Sequence, residues 1–356
     1  MGAAAISAAQ WSGWHIATKG YFDSYFQLNE NKSPGNIPLY GRAFDVDHEE
    51  LALAALEYDA KISHAKLPNV SATLNLIWGN NAEVLAADEP SGTPRYRMYR
   101  QAFLSYTPGK FSVDFGKFDS WIGLEGADST VQDNYSRSFL YTFGQPRYHF
   151  GLRAGYQFTP KINLQLFEVN GWNEVKDSND EKSFGSKLSF TGFKGLDLSV
   201  STYSGLEASN NPSPDGMYGG VGFLQPGAQH INVTDYVATY RATRKIKFAV
   251  DYLLASGETG GVKGVWRGIA GYASFKLPKG MNFSFRAERF EDQDGLRTGV
   301  PTNYTSATET LDVPISRTMM WRFEARKDGS DVPAFLDHDG VGFKRTTLTF
   351  AQVLRF

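Results

Sequence analysis

The stretch Leu277–Glu288, LPKGMNFSFRAE, holds the pattern from which the rest of the chain can be read. Pro278 presets φ for a turn and Gly280 supplies the positive φ that ends it. Beyond the turn, Met281, Phe283, Phe285 and Ala287 alternate with Asn282, Ser284, Arg286 and Glu288. A period of two puts the apolar set on one face of a strand and the polar set on the other. The same alternation runs through Lys161–Leu166, Leu196–Ser201 and Ile246–Tyr252. No helical pattern of comparable strength interrupts it.

Working outward from Leu277–Gly280, the connections fall into two kinds. Short ones lie at Lys66–Asn69, Thr107–Lys110, Thr159–Lys161, Gly192–Gly195, Thr243–Lys245, Leu277–Gly280 and Val313–Ser316. Longer ones lie near 29–43, 80–95, 119–145, 172–182, 206–229, 257–264, 291–306 and 328–341. Seven short and eight long connections alternate strictly and require sixteen strands of about 9–16 residues. A soluble sandwich has no reason to keep every tight turn at one end. A transmembrane antiparallel up-and-down β-barrel does, with short periplasmic turns and long extracellular loops. Closure also removes every strand edge, so each backbone N–H and C=O is paired within lipid. The fold class expected is therefore all-β, one outer-membrane barrel over 11–356.

Composition agrees. At 356 residues with a net charge of −2, the chain lacks the basic excess of a nucleic-acid surface, and no nucleic-acid partner is expected. Cysteine is absent, which excludes disulfide frameworks and thiolate chemistry. No window is apolar over eighteen residues, so no membrane helix is expected. Aromatics reach 14%, and Trp11, Trp14, Tyr106, Tyr156, Phe158, Phe275, Trp321 and Phe323 fall where interfacial girdles would lie. Residues 1–10, MGAAAISAAQ, read as a signal remnant or a flexible tail.

The final stretch ends in Phe356, with Leu354, Phe350 and Leu348 on the same face and Gln352 as a polar intruder. A terminal aromatic with alternating apolar positions resembles the signal by which barrel-assembly machinery recognises outer-membrane strands. The alternative is an ordinary C-terminal edge strand.

Several local sequences carry a wider resemblance. Gly20–Asn29 (GYFDSYFQLN), Phe115–Phe118 (FGKF), Asn134–Ser138 (NYSRS), His149–Tyr156 (HFGLRAGY) and Val169–Trp172 (VNGW) occur in that order. GYASF, RAERFEDQDGLRTG and FEARKD follow them. Together they resemble the OmpL-like beta-barrel porins of bacterial outer membranes. The resemblance implies a Gram-negative outer-membrane location among lipids and a water-filled pore for passive diffusion of small hydrophilic solutes and ions. Porins of this strand count are often trimers, so a homo-oligomer is also implied. No cofactor and no catalytic residue come with it.

Sixteen strands leave an aqueous lumen, and charges facing lipid cost about 2–4 kcal/mol for Lys or Arg at mid-membrane. The charged faces are therefore expected inside. The insert 119–145 is the third long loop, the position at which general porins bend a loop inward. It carries Asp119, Glu125, Asp128, Asp133 and Arg137, the candidate constriction. Arg97, Arg153, Arg322, Glu324 and Arg326 are the candidate wall facing it. Acid opposite base would set a transverse field across the pore. As a solvated external loop, the insert would use its charges only for solubility. Trp121, Ile122, Leu124, Phe139, Leu140 and Phe143 want burial and favour the inward reading.

Three stretches alternate poorly: 230–242, 264–276 and 306–312. There a one-residue slip would reverse the faces. Glu309 lands on the lipid side, which suggests a bulge or a shorter strand. Other classes fare worse. The six histidines are scattered without a serine partner at useful spacing, which argues against a hydrolase. The acidic group Asp45–Glu50 with His48, and the loop tips at Asp292–Leu296 and Asp337–Asp339, lack the ligand spacing of a calcium loop. They read as solvated loops, and no metal site is expected. The remaining competitor is a non-conducting structural barrel or one that encloses a partner.

Overall fold

The computed structural model describes residues 7–33, 37–87, 96–177, 179–209, 227–259 and 262–356. Sixteen strands form one closed ring. They are β1 (Trp14–Asn29), β2 (Leu51–His64), β3 (Leu67–Trp78), β4 (Tyr99–Tyr106), β5 (Phe111–Asp119) and β6 (Tyr148–Thr159). Next come β7 (Ile162–Val169), β8 (Ser183–Phe193), β9 (Leu196–Ser209), β10 (Gly227–Arg241) and β11 (Ile246–Thr259). The ring is completed by β12 (Val262–Lys276), β13 (Asn282–Asp292), β14 (Thr302–Pro314), β15 (Met319–Ser330) and β16 (Lys344–Arg355). Each pairs antiparallel with its sequence neighbours. The ring closes where β16 meets β1, from Thr347 opposite Asn29 to Arg355 opposite Tyr21. All seven expected short turns are present, with those expected at Lys66–Asn69 and Val313–Ser316 lying at 65–66 and 315–318. The connection expected at 257–264 is much shorter, because β11 and β12 stay paired as far as Thr259 and Val262.

Strand length is uneven around the ring. β9 to β12 have 14 or 15 residues each, whereas β4, β5 and β7 have 8, 9 and 8. Strand structure also starts earlier than expected. Ser7–Trp11, assigned by the sequence mostly to a tail, forms a short strand folded back on β1. Residues 1–6 lie outside the described residues.

The distribution of side chains is that of a soluble protein turned inside out. Leu104, Phe115, Leu166 and Leu188 are 49–60% exposed on the outer face, while Asp235, Arg286, Arg322 and Arg326 are at most 1% exposed within. In a hydrocarbon solvent this is the low-energy arrangement. Exposed aromatics gather at the short-turn ends of strands, among them Trp14, Tyr106, Phe111, Phe158, Phe193 and Tyr240. No helix among the described residues is long and apolar enough to cross a membrane; the chain crosses with strands.

The closing seam has its own packing. Gly20 and Phe356 exchange backbone hydrogen bonds of 2.8 and 3.0 Å. A Cβ on Gly20 would lie 2.5 Å from the Phe356 ring, so glycine makes room for the terminal aromatic. Phe350, Leu354 and Phe356 are all on the outer face, 37–44% exposed.

Glu309 departs from expectation. β14 runs through 306–312 in unbroken register with both neighbours, Glu309 opposite Phe285 and Ala325. There is no bulge, and the carboxylate does stand on the outer face. Beside it a groove is lined by Phe26, Leu28, Phe283, Leu311, Phe323 and Phe350.

Candidate functional site

The third connection, 120–147, has one wide helical turn at Leu140–Gly144 and is otherwise irregular. What fixes its course is a series of bonds from its backbone to side chains on the inner faces of the strands. Gly123 N and Leu124 N donate to Asp235 of β10 (3.0 Å) and Asp251 of β11 (2.8 Å). Tyr135 N and Ser136 N donate to Glu324 of β15 at 2.6 and 3.0 Å. Phe139 N donates to Glu288 of β13 at 2.6 Å. In return Arg322 donates to the carbonyls of Ser129, Gln132 and Asp133 at 2.9–3.0 Å, and Arg326 to that of Arg137. An irregular backbone cannot satisfy its own polar groups, and buried ones must be paired. Here charged wall residues supply the partners.

Apolar anchors secure both ends. Trp121 stacks on Phe167 at 3.8 Å between centroids, and its Nε1 donates to Thr202 O at 3.0 Å. The wall beneath it is Gly185, where a Cβ would come within 2.2 Å of the indole. Leu140 sits on Gly268 in the same way, also at 2.2 Å. Phe139 and Phe143 stack at 6.0 Å and pack against Tyr304. Trp266 Nε1 and Arg297 Nε donate to the carbonyls of Gly144 (3.1 Å) and Phe143 (2.7 Å).

The first connection is also drawn in. Arg42 pairs with Asp45 at 2.8 Å and with Asp328 of β15 at 3.2 Å; Arg345 joins Asp328 at 2.6 Å. Asp45 and His48 are at most 1% exposed, so the solvated loop expected at 45–50 is corrected. Burial holds the Asp45 carboxyl above the usual carboxylate range, although Arg42 opposes the shift. In the second connection a short helix, α1 (Asn80–Ala86), buries Asn81, Ala82, Val84 and Leu85. Below the third connection, on the short-turn side, lies a cavity of about 630 Å³ that reaches up to residues 128–133.

A closed sixteen-strand ring with a charged inner wall is a porin's architecture, and comparison assigns the family. The family model described as "Putative beta-barrel porin-2, OmpL-like" matches residues 15–356. The chain belongs to this family. Its location is the bacterial outer membrane. Solved porins share the fold at low identity. The anion-selective porin from Comamonas acidovorans aligns with a TM-score of 0.66 at 9% identity, covering 96% of this chain and 100% of that one. The outer membrane channel DcaP of Acinetobacter baumannii gives 0.64 at 10%, covering 98% and 99%. OmpT of Vibrio cholerae in its trimer form gives 0.60 at 10%, covering 97% and 100%. No curated protein matches the chain.

In this porin the residues singled out from sequence have the following surroundings. Asp119 ends β5 and pairs with Arg100. Glu125 pairs with Arg286 at 2.8 Å and accepts from Ser138 N and Oγ at 2.7 and 2.6 Å. Asp133 pairs with Lys247 at 2.7 Å. Asp128 accepts from Thr130 N at 2.8 Å and has no ion-pair partner among the described residues. Arg137 turns back on its own loop, donating to Gly126 O at 2.7 Å and Ala127 O at 3.0 Å.

On the wall, Arg322, Glu324 and Arg326 all hold the loop. Arg153 does not: it pairs with Asp114 at 2.6 Å and covers the Phe118 ring. Arg97 is corrected outright. It precedes β4, is exposed, and pairs with Glu83 of α1 at 2.7 Å. The basic residue that faces the loop's base is Arg100, held between Glu57 and Asp119. Strict alternation puts Arg100 outside, but the register between β3 and β4 shifts between Asn75 and Leu76. One extra residue in β4 re-aims it inward. A bulge leaves no mark in the alternation itself, and sequence reading missed it.

Proposed function

We propose that this porin is a passive channel for small hydrophilic solutes and ions, narrowed by the segment 119–145 and without catalytic chemistry. The observation that carries the reading is the polar, charged inner wall of a closed sixteen-strand ring. Support for narrowing comes from wall side chains of β10, β11, β13 and β15, which bind the loop backbone. Three of the four candidate carboxylates are engaged by cations, so the constriction acts through bulk and hydrogen bonding more than through an acid–base field. Planar-bilayer recording tests the proposal. Stable conductance steps from protein with heat-modifiable gel migration are expected; their absence would favour the alternative, a non-conducting structural barrel. One observation favours that alternative. The loop side of the interior carries a continuous buried cluster that includes Phe118, Trp121, Phe139, Phe143, Trp266 and Phe290.

We also read the outer groove beside Glu309 as a contact between copies in a homo-oligomer. A carboxylate at mid-strand facing lipid is unfavourable, and contact with a second copy would remove it from lipid. Replacing Glu309 with Leu is expected to lower the oligomeric fraction seen by light scattering in detergent; an unchanged fraction would count against this contact. The outward Phe350, Leu354 and Phe356 remain the proposed signal for barrel-assembly machinery. Deleting Phe356 is expected to reduce the folded protein recovered from outer membranes, and normal recovery would remove the assignment.

A further inference from the structure

The cavity under the third connection has an unequal charge balance. Seven Lys and Arg side chains line it against four Asp. Most of these charges are already engaged. Lys19 pairs with Asp59 at 3.3 Å, Lys247 with Asp133 at 2.7 Å and Arg241 with Asp197, while Arg355 donates to Thr130 O at 2.6 Å. Asp312 pairs with Arg322 at 2.7 Å. Three cations are left over: Arg244, Lys245 and Lys276 have no carboxylate within ion-pair reach among the described residues. They occupy adjoining positions, since Lys276 N donates to Lys245 O at 2.9 Å. The one carboxylate left over is Asp128, at the cavity's upper limit.

We infer that this periplasmic vestibule is an anion-binding site, and that small anionic solutes are the class the channel favours. The inference rests on the channel reading and names its substrate class. Three like charges in neighbouring turns repel one another, and an anion between them relieves that repulsion. A concave site lined by one excess sign between low-dielectric walls focuses the field and raises the local concentration of counter-ions. Of the four candidate carboxylates of the third connection, Asp119, Glu125 and Asp133 are each paired with a cation, which leaves Asp128 as one unpaired acid against three unpaired cations among the described residues.

Two measurements on the full chain decide it. Across a KCl gradient in planar bilayers, the reversal potential is expected to show chloride more permeant than potassium. The triple variant Arg244→Gln, Lys245→Gln, Lys276→Gln is expected to lower that permeability ratio about threefold, the scale for charges within a Debye length of a permeating ion. A cation-selective wild type, or an unchanged ratio in the variant, would overturn the inference. Titration calorimetry of detergent-solubilised protein with ATP reads the cation cluster without conduction. Binding that the triple variant loses supports the site, and equal binding by both proteins overturns it. If wild type and variant both fail to conduct while ATP binding depends on the three cations, the channel reading falls and the anion site stands.

Discussion

The interior has two regions built on the same strands, and they differ in what the strands present. Toward the long loops, inner-face positions include Ile231, Val233, Leu253, Trp266 and Phe290, all at most 2% exposed, and the space is filled by connections folded in from the rim. Toward the short turns, the same strands present Lys247, Ser274 and Asn282 around an open cavity. The difference teaches that a barrel wall does not by itself decide how much of its lumen is free. Glycines and buried apolar residues on the inner face are seats for an inserted loop; lysines and short polar residues leave room for water and solute.

The largest test of this contrast is Arg286→Met. It leaves Glu125 and Glu288 buried beside an apolar side chain, and breaking a buried pair in this way costs about 3–5 kcal/mol. The expected outcome is a barrel that still migrates heat-modifiably but whose third connection is cut by protease and whose conductance is raised. Protection equal to wild type would show that the loop is held without this pair. Gly268→Val comes next. A Cβ there meets Leu140 at 2.2 Å, and overpacking of this kind costs about 1–3 kcal/mol. Loss of loop protection is expected, whereas Gly271→Ala, whose Cβ finds nothing closer than 3.9 Å, is expected to be neutral. Equal behaviour of the two variants would remove the seat from the account. Lys247→Met is the smallest. The pair with Asp133 is partly exposed, so unfolding stability is expected to change by no more than about 1 kcal/mol. Channel selectivity is expected to shift toward cations as Asp133 is uncovered, and a shift toward anions would contradict the electrostatic reading of the cavity.

The fold was legible because lipid enforces alternation and the turns carry Pro, Gly and Lys in a mechanistic pattern. Face assignment was left open where that enforcement is weak. In 264–276 the inner face holds Gly264, Trp266, Gly268 and Ala270, which look no more polar than the outer Val265 and Ile269. Trp266 and Gly268 touch the third connection and Gly264 faces Leu296 of the 293–301 connection, partners distant in sequence that periodicity cannot report. Arg322, Glu324 and Arg326 could be read because their strand alternates cleanly from Arg322 to Asp328. Arg100 could not, since a bulge breaks the parity. Glu309 was read on the correct face, but the bulge or shorter strand expected there is absent, since β14 keeps its register with both neighbours.

The uneven strand lengths have a consequence for how anything reaches the mouth. From β4 to β12 the tight turns keep the short-turn ends nearly level, so the surplus of about six residues in β9–β12 over β4, β5 and β7 accumulates at the loop end. At about 3.4 Å per residue and a strand tilt near 40°, that raises one side of the rim by roughly 15 Å. The strand wall is therefore taller along β9–β12 than along β4, β5 and β7. A solute skimming the lipid headgroups has less strand wall to clear on the low side than on the tall one.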